Sequence, residues 1–108
     1  MENFFIIKET GRNMVKSDKQ LYNIGWCLYP EDRMKIYQKL SPVDLILDSV
    51  YECTDCEILE KKIHKKYGTK MLQNDWFCLT EQELQEIKQE IPILIQKIQQ
   101  KMNKNKDK

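Results

Sequence analysis

The chain predicts an α+β fold, a small and largely antiparallel three-stranded sheet flanked by helices, on three observations. Short apolar runs rich in strand-forming residues occur at 4–7, 21–24 and 45–53. Between and after them, apolar residues recur at helical spacing, giving the order strand, strand, helix, strand, helix, helix. At 108 residues the chain supplies one hydrophobic core and has no room for a second.

Each element has its own signal. Phe4, Phe5, Ile6 and Ile7 form a buried-strand run closed by Lys8, Glu9, Thr10 and Gly11. Residues 11–20 are polar and charged and are expected as a loop. Leu21, Tyr22, Asn23 and Ile24 make a second strand, with Gly25 as its stop. Pro30 suits the first position of a helix, and Glu31 and Asp32 put negative charge in its first turn. Met34, Ile36, Tyr37 and Leu40 follow at helical spacing until Ser41 and Pro42 end that helix. Leu45, Ile46, Leu47, Val50 and Tyr51 carry the third strand up to Cys53.

Thr54 with Glu57 makes a capping box, so a helix bearing Ile58, Leu59, Ile63 and Tyr67 should begin at Thr54 and stop at Gly68. Residues 71–79 read as a connector around Trp76 and Phe77, more suited to core packing than to stacking on bases. Thr80 caps a last helix with Glu81 and Glu83 in its first turn, and Pro92 is expected to kink or break it. Residues 1–90 then form the domain. Residues 91–103 form a C-terminal helical extension with the apolar stripe Ile93, Leu94, Ile95 and Ile98, and 104–108 a disordered, lysine-rich tail.

Composition narrows the function classes. With 41% hydrophobic and 32% charged residues the chain is globular rather than disordered. Eighteen basic against 17 acidic side chains leave a net charge of +1, which excludes a uniformly basic surface. Nucleic-acid binding must therefore come from local patches. The densest patch is Lys61, Lys62, Lys65, Lys66 and Lys70, with no acidic residue among them, and it serves equally as a phosphate-tracking surface or a solvated helix face. The apolar runs are too short to span a bilayer, and an N-terminus carrying Glu2 and no basic segment is no signal peptide. An intracellular protein, cytoplasmic or nuclear, with no membrane partner is expected.

Four cysteines bear on the same question. In that compartment a disulfide framework is not expected. Cys53 and Cys56 form a CxxC that could be half of a zinc site completed by Cys27, Cys78 or His64, but a second tight pair is missing. Small buried side chains beside aromatics are the favoured reading, with a zinc-stabilised adaptor as the minor alternative.

Three motifs carry chemistry. They are Tyr22-Asn23-Ile24-Gly25 followed by Arg33, then Glu60 to Tyr67 with His64 four residues after Glu60, then Asp75-Trp76-Phe77. In this order and spacing the chain resembles the GIY-YIG endonuclease superfamily. It is most similar to the branch with a tyrosine-lysine-isoleucine-glycine signature, an arginine, an E-x-x-L-H-x-x-F helix and a Glu-Trp-Phe box. That branch is scattered among phages, large DNA viruses, bacteria and fungi.

The resemblance implies a metal-dependent DNA endonuclease that hydrolyses a phosphodiester with a single Mg2+ or Mn2+ ion. By position, Arg33 would neutralise the scissile phosphate and Glu60 would hold the metal, as a planar guanidinium and a hard carboxylate suit. The two signature tyrosine positions fall on Phe5 and Asn23. Phenylalanine cannot deprotonate water, which leaves His64, or Tyr22 if the strand register slips by one residue, as the candidate base. The alternative is a non-catalytic module binding nucleic acid or a protein partner on the same fold.

Overall fold

The computed structural model describes residues 2–10, 19–72 and 75–106. Strands β1 (Glu2–Glu9), β2 (Lys19–Cys27), β3 (Leu45–Cys53) and β4 (Trp76–Thr80) form one antiparallel sheet in the order β3-β1-β2-β4. Helices α1 (Pro30–Leu40), α2 (Cys56–Tyr67) and α3 (Glu81–Lys106) flank it, with a short 3-10 turn at Gly68–Lys70 after α2.

Two-residue alternation along the strands gives each face its own core. Phe4, Ile6, Tyr22, Ile24, Phe77 and Leu79 turn toward α2 and α3, and pack against Leu59, Ile63, Leu84, Ile87 and Ile91. Phe5, Ile7, Cys27 and Leu45 turn the other way, under Met34 and Tyr37 of α1. The first face is the thicker. No residue of α1 is buried, and its Ile36 and Leu40 stay exposed despite their helical spacing.

The sheet has four strands where the sequence predicts three. Within the expected connector, Phe77 and Leu79 are fully buried while Trp76 and Cys78 face away, a period-2 pattern five residues long. A pattern that short, abutting a helix cap, is visible only once Tyr22 and Phe77 are paired across the sheet. β2 is also longer than expected: Lys19 and Gln20 pair with Thr80 and Leu79, and the strand runs through Gly25 to Cys27. The rest of the expected loop, residues 11–18, lies outside the described residues.

α2 begins at Cys56, not Thr54. Asp55 precedes it in the left-handed region (φ 54°), and the Cys56 N–H is taken up by the Glu2 carboxylate at 2.8 Å. Cys53 and Cys56 are joined by a disulfide, against the expectation of reduced cysteines or a zinc half-site. The reason is local geometry: the left-handed turn at Asp55 brings the two Cα atoms to 5.9 Å, within disulfide range.

α3 passes through Pro92 without ending. Leu84, Ile87, Ile91 and Ile98 lie on one face of a single core, so packing on both sides of Pro92 outweighs the loss of its N–H bond. Residues 101–106, expected near or within a disordered tail, continue this helix, while 107 and 108 lie outside the described residues. No helix among the described residues is long and apolar enough to cross a membrane.

The start of α3 is the best-capped end in the molecule. The Thr80 N–H donates to Glu83 Oε1 at 2.9 Å and the Glu83 N–H donates to Thr80 Oγ at 3.1 Å, a reciprocal capping box. Lys70 pairs with the same carboxylate. Lys70 above all, then the Thr80 amide, pull the Glu83 carboxyl down to about 2. A depressed folded-state value stabilises above the ordinary 4.5 and loses that contribution as pH falls toward 2. Glu83→Gln should lower stability by about 1–2 kcal/mol at pH 7 and flatten the acid limb below pH 4.5, read by urea unfolding across pH.

Candidate functional site

The amphipathic pattern of α2 sorts its charges before any site forms. Cys56, Leu59, Ile63 and Tyr67 are buried on the sheet. At about 100° per residue, Glu60 and His64 stand on one flank of that stripe, Lys62 and Lys66 on the other, and Lys61 and Lys65 face outward. The first flank overlooks the edge of β2.

That edge is open for a definite reason. β4 pairs with β2 only from Lys19 to Asn23, and the ladder closes with the Ile24 N–H donating to the Asp75 carbonyl at 3.1 Å. Beyond it, Gly25, Trp26 and Cys27 have no strand on that side among the described residues. Asp75 sits at the turn into β4 with φ 67°, a left-handed conformation that aspartate tolerates better than most residues.

Around this edge the side chains converge. Glu60, His64 and Asp75 each offer one ligand atom, all within 4.8 Å of one another. His64 Nε2 lies 3.8 Å from Asp75 Oδ1, is itself buried, and has no hydrogen-bond partner among the described residues. Its ring is set edge-on against Phe77 at 5.2 Å. A Cβ on Gly25 would stand 3.5 Å from Phe5 Cζ and 3.8 Å from Glu60 Oε2, so the missing side chain leaves the space where ring tip and carboxylate meet.

Electrostatics follow from the crowding. Burial, aided by the Asp75 and Glu57 carboxylates, pushes the Glu60 carboxyl above its ordinary value, while His64 pulls the other way. Two carboxylates and an imidazole nitrogen in a half-buried corner are a donor set that a cation can bridge. An ion binding oxygens at about 2.1–2.4 Å holds its ligand atoms about 3–4.5 Å apart, so only small rotamer changes separate this geometry from a closed site.

The sequence-derived candidates divide. Glu60 and His64 come together as their four-residue spacing suggests, and Asp75 joins them. The sequence reading left Asp75 in a motif without a role; its signal was an acidic residue immediately before Trp76-Phe77. Arg33 is exposed on α1 and forms no ion pair among the described residues. It lines a groove with Trp26, Leu28 and Ile36 beside the same β2 edge, and its charge bears on Cys27, whose thiol burial pushes up.

Tyr22 is not part of this corner. The register pairs Phe5 with Gly25 and Ile7 with Asn23, so no slip occurs, and Tyr22 turns away from Gly25 into the α2–α3 core beside Phe77. There its hydroxyl donates to Gln20 at 3.3 Å, and burial with nearby Glu81 and Asp48 raises it to about 12. Asn23 and Phe5 share the corner's face and are buried.

The lysine patch is less free than it looks in sequence. Lys66 pairs with Glu90, which also accepts the Tyr67 hydroxyl at 2.6 Å, and Lys70 pairs with Glu83. Lys61 pairs with Glu57 at 3.4 Å. Among the described residues Lys62 and Lys65 alone in the patch form no ion pair.

A family model described as the T5orf172 domain matches residues 8–92. No curated protein matches the chain, and no solved structure does.

The strained carboxylate gives a test independent of any activity. A carboxyl whose folded value is raised stabilises below the unfolded value, and that contribution is lost as pH rises through the folded one. At pH 7 and without divalent ions, Glu60→Gln should therefore stabilise the protein slightly. The gain should vanish near pH 4, as measured by thermal unfolding in chelator.

Proposed function

The chain belongs to the T5orf172 domain family, a domain found in phage and in some endonuclease-like proteins, and from that premise we propose that it is a metal-dependent nuclease hydrolysing DNA phosphodiesters. The observation that carries the reading is the meeting of Glu60, His64 and Asp75, with the Glu60 carboxylate at the space left by Gly25. The motif order that resembles the GIY-YIG endonucleases supports the same chemistry.

In this reading Glu60 and Asp75 hold one Mg2+ or Mn2+ ion, whose charge also relieves their mutual repulsion. Once bound, the ion supplies Lewis-acid polarisation of the phosphoryl group and balances charge on the leaving oxygen. His64 Nε2, buried and with no hydrogen-bond partner among the described residues, takes the proton of the attacking water. Oxygen of water bonds to phosphorus, the bond to the leaving sugar oxygen breaks, and solvent reprotonates that oxygen. Arg33 binds the non-bridging oxygens bidentately as charge grows on them.

A second reading, a nucleic-acid-binding module that does not cut, is favoured by Phe5 and Asn23 at the signature tyrosine positions. The same assay separates the two. Nicking of supercoiled plasmid with Mn2+ or Mg2+ should be detectable in the native chain. Arg33→Ala, Glu60→Gln and Asp75→Asn should each lower it by 100-fold or more, on the order of 3 kcal/mol. His64→Gln should abolish cutting while leaving Mn2+ binding, followed by paramagnetic relaxation, unchanged. Phe5→Tyr places a hydroxyl toward the Glu60 carboxylate and should raise the rate. DNA retention by the native chain, with no cutting either by it or by Phe5→Tyr, supports the non-catalytic reading.

Salt dependence tests the lysines separately. Lys65→Glu and Lys62→Glu should weaken DNA binding and flatten its salt slope by about one unit each. Lys66→Glu should instead destabilise the fold through repulsion with Glu90, and its effect on binding should be smaller.

A further inference from the structure

The end of β2 and the start of α1 border a groove of about 490 Å³ that holds Arg33 and whose apolar walls the proposed hydrolysis does not use. Its walls are apolar: Leu28, Tyr29 and Ile36, with 54%, 69% and 55% of their surfaces exposed. Its rim carries charge of both signs, the Arg33 guanidinium and the Asp32 carboxylate on consecutive residues of α1. An apolar slot with one exposed aromatic ring, Tyr29, and a donor fork and an acceptor at its mouth has a defined chemical complement.

We propose that this groove receives one unpaired nucleobase, that of the nucleotide next to the phosphate held by Arg33. A base offers two apolar faces for aromatic stacking and a polar edge for the rim, and its phosphate lies within a nucleotide's length of Arg33. Tyr29 stacks on the base. Asp32 accepts from an exocyclic amine or ring N–H on its edge. A base still paired in a duplex cannot enter, so the substrate class narrows to single strands or duplexes that present an extruded base beside the cut.

Three features single out a base over other occupants. The exposed ring of Tyr29 lines the same groove as Arg33, so a stacked base and its phosphate can be held together. The cation at the rim complements a phosphate and forms no ion pair among the described residues. The slot is short, bounded by the first two turns of α1, which suits one ring system rather than a helix or strand of a protein partner.

The inference rests on the nucleic-acid reading above, and its test keeps the two apart. The full chain is titrated with fluorescent single-stranded oligonucleotides that are complete or carry one abasic position, moved stepwise along the strand. One position should cost about ten- to hundredfold in affinity, the effect of one lost stacked base. Tyr29→Ala should remove that difference and Tyr29→Trp should keep it, while Ile36→Glu, a surface change that leaves the core intact, should also abolish it. Equal affinity for complete and abasic strands, with plasmid nicking intact, overturns the groove assignment and leaves the hydrolase standing. Failure to bind any nucleic acid overturns both. Concentration-dependent dimers that Tyr29→Ala dissociates assign the groove to a second copy of the chain and overturn the inference.

Discussion

The pairing of β4 with β2 stops at Asn23, where the Ile24 amide meets the Asp75 carbonyl, and most of what is distinctive about this molecule depends on that stop. Had β4 run two residues further, it would have paired with Gly25 and covered the edge. Instead the strand begins at a left-handed turn that presents the Asp75 carboxylate to α2, and β2 continues to Cys27 paired on its β1 side. An unpaired strand edge is ordinarily a hazard for self-association. Here charged and polar side chains from α2 and the β4 turn crowd it on one side, and the short length of free strand limits it on the other.

α2 is the element that turns this edge into a chemical corner. Its buried stripe fixes the rotation of the helix, and that rotation alone decides which charges meet the edge and which meet α3. Glu60 and His64 fall on the edge side. Lys66 and Tyr67 fall toward α3, where both engage Glu90. The disulfide between Cys53 and Cys56 and the Glu2 carboxylate on the Cys56 amide pin the start of the helix, one turn before Glu60. The polarity of the corner is thus built on apolar packing beneath it.

The same corner is held against its own electrostatics. Desolvation and a neighbouring carboxylate disfavour the ionised form of Glu60, and His64 Nε2 is buried with no hydrogen-bond partner among the described residues. Polar groups left in this condition cost stability unless something bridges them. The thick core on the α2–α3 face, with its capped and ion-paired start of α3, offsets that cost. Strain of this kind, concentrated at one place and balanced elsewhere, is what a site under functional constraint looks like in a small domain.

The sequence by itself determined the fold class, the first three strands and the three helices, because apolar period, caps and prolines are local signals. It also determined that Glu60 and His64 share a helix face, since 3.6 residues per turn leaves no other arrangement. The tertiary structure decided what local signals cannot carry. β4 is five residues long and gains its hydrogen bonds from β2, more than fifty residues earlier in the chain. Pro92 stays helical because apolar contacts on both sides of it reach one core. Thr54 yields the helix start to Cys56 because a turn at Asp55 and a distant Glu2 satisfy the amide better than a local cap. Asp75 enters the corner where β4 begins its pairing with β2, and Tyr22 stays in the α2–α3 core beside Gln20, because register is set by pairing rather than by the residues of one strand.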